Sequence, residues 1–122
     1  MILLATALAG ALGAVARYVV DGVVQERFGD AFPWGTWAVN VTGSFALGLV
    51  TGLMLYQGLG NGPKSVIGTG FIGSYTTFST FTYETLRLAE EGSRYEAVLN
   101  AVANTTVALV AAAGGLALAS AA

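Results

Sequence analysis

Cysteine and histidine are both absent, and charge is scarce. Without cysteine there are no disulfides, thiolate nucleophiles or Cys/His metal sites, and without histidine no Ser-His-Asp triad or imidazole base. Five Lys/Arg and seven Asp/Glu make up 10% of 122 residues, against about 25% in an average soluble domain. A net charge of −2 with dispersed cations excludes the basic footprint of a nucleic-acid binder. Prolines number only two, whereas 55% of the chain is hydrophobic and the mean hydropathy is +0.69. So few polar groups cannot cover a water-soluble domain. The chain reads as a small integral membrane protein in a lipid bilayer, and not as an enzyme.

A hydrocarbon core of about 30 Å takes roughly 20 apolar residues per helix. Four segments qualify, at about 2–20, 36–57, 65–86 and 95–120. The first holds only Thr6 and Arg17 as polar interruptions, and the second has no charge. The connections at 21–35, 58–64 and 87–94 are polar and Gly-bearing, with Pro33 and Pro63. They leave no room for a soluble domain, so residues 1–122 form one four-helix unit. Ala7-Leu8-Ala9 mimics a signal-peptide cleavage site, but no charged region precedes it and the apolar run continues to Val20. Trp34, Trp37, Tyr18 and Tyr56 fall near span ends, where amphipathic rings prefer the headgroup level. With both termini on one side, Arg27, Arg87, Arg94 and interfacial Arg17 oppose Lys64 alone. That bias places the termini outside by a few charges only, so orientation is weakly specified. Small residues repeat at Ala5, Ala9 and Gly13, at Ser44, Gly48 and Gly52, and at Ala108 and Ala112. Such stripes pack helices closely, within one chain or between chains.

The third span is unusual. From Gly68 to Thr82 it combines three glycines with a dense run of threonines, a poor recipe for an uninterrupted helix. Irregular backbone at membrane depth is tolerated only where it is buried or lines a polar cavity. The composition predicts a break around Gly73 to Thr77, with freed carbonyls suited to a cation and a half-helix N-terminus suited to an anion. The alternative is an ordinary helix whose hydroxyls bond back to i−4 carbonyls. Phe78 and Phe81 lie three apart, on one face of a following helix. They are core packing or a pair of positive ring edges facing an anion. A pore Arg would hold an anion too tightly, whereas conduction needs weak serial sites. Asn40 offers two amide donors at mid-span, or an interhelical hydrogen bond. Asn100 and Asn104, one turn apart beside Thr105 and Thr106, form a polar track or bond helices together. Arg17 has Asp21 at i+4 and reads as structural.

Three motifs carry a resemblance: Gly13-x3-Arg17-Tyr18, Gly35-Thr36-x3-Asn40-x2-Gly43-Ser44-Phe45, and Gly70-Phe71-x-Gly73-x2-Thr76-Thr77-Phe78-Ser79-Thr80-Phe81-x2-Glu84. In this order they resemble the Fluc/CrcB fluoride channels. The resemblance implies an all-α membrane protein of four transmembrane helices, the third broken, paired as an antiparallel, dual-topology dimer with two pores. It implies passive export of fluoride across a bacterial or archaeal inner membrane, the ion entering cells as HF and leaving under the membrane potential. A structural Na⁺ at the dimer centre is expected on the main-chain carbonyls of Gly73 and Thr76 from both subunits. Phe78, Phe81 and Asn40 match pore residues, and the hydroxyls of Thr77, Ser79 and Thr80 face the pore or the break. Where the family has hydroxyl or aromatic residues in the fourth span, Asn100 and Asn104 stand here. Weak charge bias suits a chain inserted both ways, as a homodimer or as half of a pair of distinct homologous subunits.

Two other functions compete. A four-span multidrug exporter of dual topology needs a membrane-embedded carboxylate, and the first span has none before Asp21. A non-transporting subunit of a membrane assembly accounts for the small-residue stripes but not for the Thr/Phe run.

Overall fold

The computed structural model describes residues 1–29 and 31–121, and every regular element among them is helical. Helix α1 (Ile2–Phe28) runs on past Val20 to Gly29, so Asp21, Glu26 and Arg27 belong to the helix and not to a loop. Hydropathy marks where lipid ends, but the helix stops only at a stop signal. That signal is Gly29, whose φ of 88° suits glycine. The corner to α2 (Trp34–Gln57) is stapled by one side chain. Gln25 Nε2 donates to the Gly29 carbonyl at 2.6 Å and the Phe32 carbonyl at 2.9 Å, and Gln25 Oε1 accepts from the Gly35 N–H at 3.0 Å. Helix α2 ends at Gly58 in the left-handed conformation.

A helical run follows as α3 (Asn61–Lys64), a wide π-helical stretch (Ser65–Ile72) and a last turn, α4 (Gly73–Tyr75). Thr76 is extended (φ −77°, ψ 162°) and α5 (Ser79–Glu90) begins after Phe78. The non-helical residues are therefore Thr76, Thr77 and Phe78, while Gly73 stays helical (φ −59°, ψ −36°). Among the glycines of this run, Gly70 serves close packing instead. A Cβ on Gly70 would meet the Thr6 carbonyl and Ala9. Helix α6 (Arg94–Ala121) completes the fold.

Helix α2 packs most extensively on α6, and α1 lies along the π-helical stretch. The small-residue stripes are consumed here, within the chain. Gly48 faces the Ala112 carbonyl, Gly115 faces the Phe45 carbonyl and the Leu49 N–H, and Gly13 faces the Phe71 backbone. Among the described residues three helices are long and apolar enough to cross a bilayer: Ile2–Phe28, Trp34–Gln57 and Arg94–Ala121. Neither piece of the 61–90 segment reaches the roughly 20 residues of a span by itself. The chain exposes 7217 Å², more than the about 6,100 Å² expected of a compact monomer of this mass. Leu3, Leu8, Leu12 and Val15 on α1 and Val102, Leu109 and Val110 on α6 all point outward.

Candidate functional site

The residues between α4 and α5 are held by α1, α2 and their own hydroxyls. Asn40 grips the Thr77 peptide unit, donating from Nδ2 to its carbonyl and accepting its N–H at Oδ1, each at 2.9 Å. Because the Thr77 N–H turns to Asn40, the Gly73 carbonyl loses the donor that an α-helix would give it. Thr77 Oγ1 accepts from the Thr80 N–H at 3.2 Å and so caps the start of α5. Thr76 Oγ1 bonds back to the Ile72 carbonyl at 3.1 Å, and Arg17 Nη1 donates to the Thr76 carbonyl at 3.4 Å. Gly43 has no side chain to keep the Thr76 methyl and the Tyr75 ring off α2.

A cleft of about 380 Å³ opens beside this segment, walled by α2, α5 and α6. Asn40, Ser44, Thr77, Phe78, Phe81, Asn104 and Thr105 line it, and no acid or base among the described residues does. The Phe78 and Phe81 rings touch, with centroids 5.9 Å apart and planes at 52°. Phe78 precedes α5 and is 78% exposed. Asn40 has spent one amide proton on Thr77, which leaves one for a guest. Asn104 Nδ2 is buried without a partner among the described residues. A second cavity, about 190 Å³, is lined by Arg17, Asp21, Thr36, Thr77 and Thr80 among others, so Thr77 borders both.

Asn40, Thr77, Phe78, Phe81 and Asn104 thus converge, while other expected residues stand apart. Thr80 belongs to the second cavity, Ser79 is exposed at the head of α5, and Gly73 is exposed and lines neither cavity. Asn100 is fully buried and bonds Thr85 on α5 instead of lining the cleft. Arg17 does not pair with Asp21 within salt-bridge distance among the described residues. It reaches Thr76, and the Asp21 carboxylate lies against Gly35 at the start of α2. Ser44 reads from sequence as a packing residue, yet it lines the cleft. Its i+4 spacing from Asn40 is the signal for that role.

The profile described as CrcB-like protein, Camphor Resistance (CrcB), matches residues 4–116. A Leifsonia xyli subsp. xyli protein named Fluoride-specific ion channel FluC 1 is 53% identical over 116 residues, 95% of this chain and 85% of its own. Proteins named Fluoride-specific ion channel FluC from Acidobacterium capsulatum and Geobacter sulfurreducens are 55% identical over 94 residues and 46% over 109. The matched regions cover 76% and 88% of this chain, and 75% and 88% of the respective relatives. The profile takes in all three motifs and every residue of the cleft, and the chain belongs to the CrcB family.

Proposed function

We propose that this protein is a fluoride-selective channel through which cytoplasmic fluoride leaves passively across the inner membrane. The observation that carries the reading is the cleft itself. It is lined by Asn40, which keeps one amide N–H unspent, by two contacting Phe rings and by Asn104, whose buried Nδ2 has no partner among the described residues, with no formal charge among these groups. Fluoride is small and strongly hydrated, so a selective path must replace its water with donors. Amide protons, hydroxyls and ring edges do so weakly enough to let the ion leave. The N-terminus of α5 at Phe78 adds a favourable dipole for an anion. A proton-coupled drug exporter needs an acid in this place, and the lining residues include none.

In this reading the pieces 61–75 and 79–90 form together one broken crossing, the third of four. The excess exposed surface and outward Phe78 support a second copy, inserted antiparallel, as a homodimer or with a homologous partner subunit. The chain would hold a structural sodium ion through the Gly73 and Thr76 carbonyls. The Gly73 carbonyl suits this role, since its helical donor is diverted and it ends a helix, where the dipole is negative. Thr76 suits it less well, because Arg17 already donates to its carbonyl. The ion, when bound, supplies a positive charge that ties two breaks together.

The test is fluoride efflux from liposomes holding the purified chain, with K⁺/valinomycin to relieve voltage and chloride as control. Rapid fluoride-only efflux, lost on Phe78→Ile or Phe81→Ile, is the expected result. No efflux from folded protein, alone or with a homologous partner, overturns the reading.

A further inference from the structure

Thr85 lies outside the cleft yet joins two of the helices that wall it. Its hydroxyl sits 2.9 Å from the Phe81 carbonyl, one turn earlier on α5, and 2.8 Å from Asn100 Nδ2 on α6. A hydroxyl has one proton to give. In the structure the Thr85 proton goes to the Phe81 carbonyl, which only accepts, and Asn100 Nδ2 is the donor to the hydroxyl. That determines how the Asn100 amide lies: its NH₂ faces α5 and its Oδ1 faces away. Asn100 is 0% exposed, and Oδ1 finds no hydrogen-bond partner among the described residues.

One turn along α6, Asn104 has the opposite deficit. Its Nδ2 is buried without a partner, and the side chain lines the cleft with Phe81. The two orphans, an acceptor on Asn100 and a donor on Asn104, are complementary and sit at i, i+4, where helical side chains meet. A bond between them would satisfy both and withdraw the Asn104 N–H from the cleft. We infer that Thr85 is a positioning residue: by pinning the Asn100 amide to α5, it keeps the Asn104 N–H available to an anion beside Phe81. The inference rests on the channel reading above and names a residue that acts on the cleft through α6.

The experiment compares Thr85→Val, Thr85→Ser and the double variant Thr85→Val/Asn100→Leu in the liposome efflux assay, beside the unaltered chain. Thr85→Val frees Asn100 to bond Asn104, and fluoride efflux is expected to fall about tenfold, the effect of one hydrogen bond on a barrier. Thr85→Ser keeps the hydroxyl and the rate. The double variant removes the competing acceptor, so efflux recovers. A purely structural role for Thr85 predicts the reverse, with the double variant no better than Thr85→Val. Undiminished efflux in Thr85→Val, or no recovery in the double variant, overturns the inference. A second readout is independent of flux. In ¹⁵N spectra of the detergent-solubilised chain, the Asn104 side-chain NH₂ signal should shift downfield in Thr85→Val and return in the double variant. An unmoved signal overturns the inference even if the unaltered chain conducts nothing, and the channel reading itself falls when a homologous partner subunit also fails to give efflux. Should Thr85→Val fail to fold, Thr85→Ala replaces it in both measurements.

Discussion

Asn40 on α2 and Thr77 between α4 and α5 are joined by two hydrogen bonds of 2.9 Å, amide side chain against main-chain peptide. An irregular residue inside apolar surroundings must satisfy its N–H and carbonyl somewhere, at a cost of about 1–3 kcal/mol for each one left unpaired. Here a single side chain satisfies both. Asn40 is therefore a structural clamp that also lines the cleft. Asn40→Asp keeps the size and the acceptor but loses the donor, setting two oxygens against each other. It is expected to lower unfolding stability by about 1–3 kcal/mol and to abolish fluoride efflux. A variant as stable as the parent in thermal melts contradicts the clamp.

The two phenylalanines separate stability from transport. Phe78 is 78% exposed while Phe81 is partly buried against the cleft wall. Phe81→Ile therefore costs about 1 kcal/mol of packing, and Phe78→Ile costs close to nothing. Both remove an aromatic edge from the cleft, and both are expected to stop efflux. Melting curves and efflux rates measured on the same preparations show whether the two effects part in this way. Efflux that tracks stability across both variants speaks for core packing alone.

Much of this was legible in the sequence because lipid imposes simple rules. Runs of apolar residues located α1, α2 and α6, and the Gly/Thr density pointed to irregular backbone around Gly73 to Thr77, whereas Gly73 to Tyr75 are helical and the non-helical residues are Thr76, Thr77 and Phe78. Two things were not legible. The true end of α1 lies at Gly29, since composition reports the depth of lipid and not the hydrogen-bond ladder. The partners of polar side chains were also hidden, because they cross between helices. Arg17 reaches Thr76, 59 residues away, in preference to Asp21 on its own helix. Gln25, which staples the α1–α2 corner, carries no motif at all.

Glycine positions divide into two classes with opposite responses to alanine. At Gly48 and Gly115 a methyl group would strike the backbone of the facing helix, and backbone cannot step aside as a side chain can. Gly48→Ala and Gly115→Ala are expected to destabilise the chain by about 1–3 kcal/mol. Gly22 sits inside α1 with nothing within 4 Å of a new Cβ. Gly22→Ala is expected to add about 0.5–1 kcal/mol by lowering the entropy of the unfolded chain. Thermal unfolding in detergent tests the signs. Equal shifts at all three positions would mean that α2 and α6 do not approach as closely as the packing requires.

Sodium dependence should carry the mark of Arg17. The guanidinium donates to the Thr76 carbonyl at 3.4 Å, so a cation held on the same carbonyl feels both competition for the oxygen and like-charge repulsion. Arg17→Gln keeps a hydrogen-bond donor of similar reach and removes the charge. If Gly73 and Thr76 hold sodium, the sodium concentration that supports half-maximal efflux should fall several-fold in this variant, as like charges at this separation repel appreciably. The reference condition replaces sodium by N-methyl-D-glucamine throughout purification and on both faces of the membrane, where efflux should decline in the unaltered chain. The repulsion argument fixes the sign, since removing a positive charge can only strengthen binding of another. A higher sodium requirement in Arg17→Gln would place the ion away from Thr76. Full efflux without sodium would remove it from the mechanism altogether.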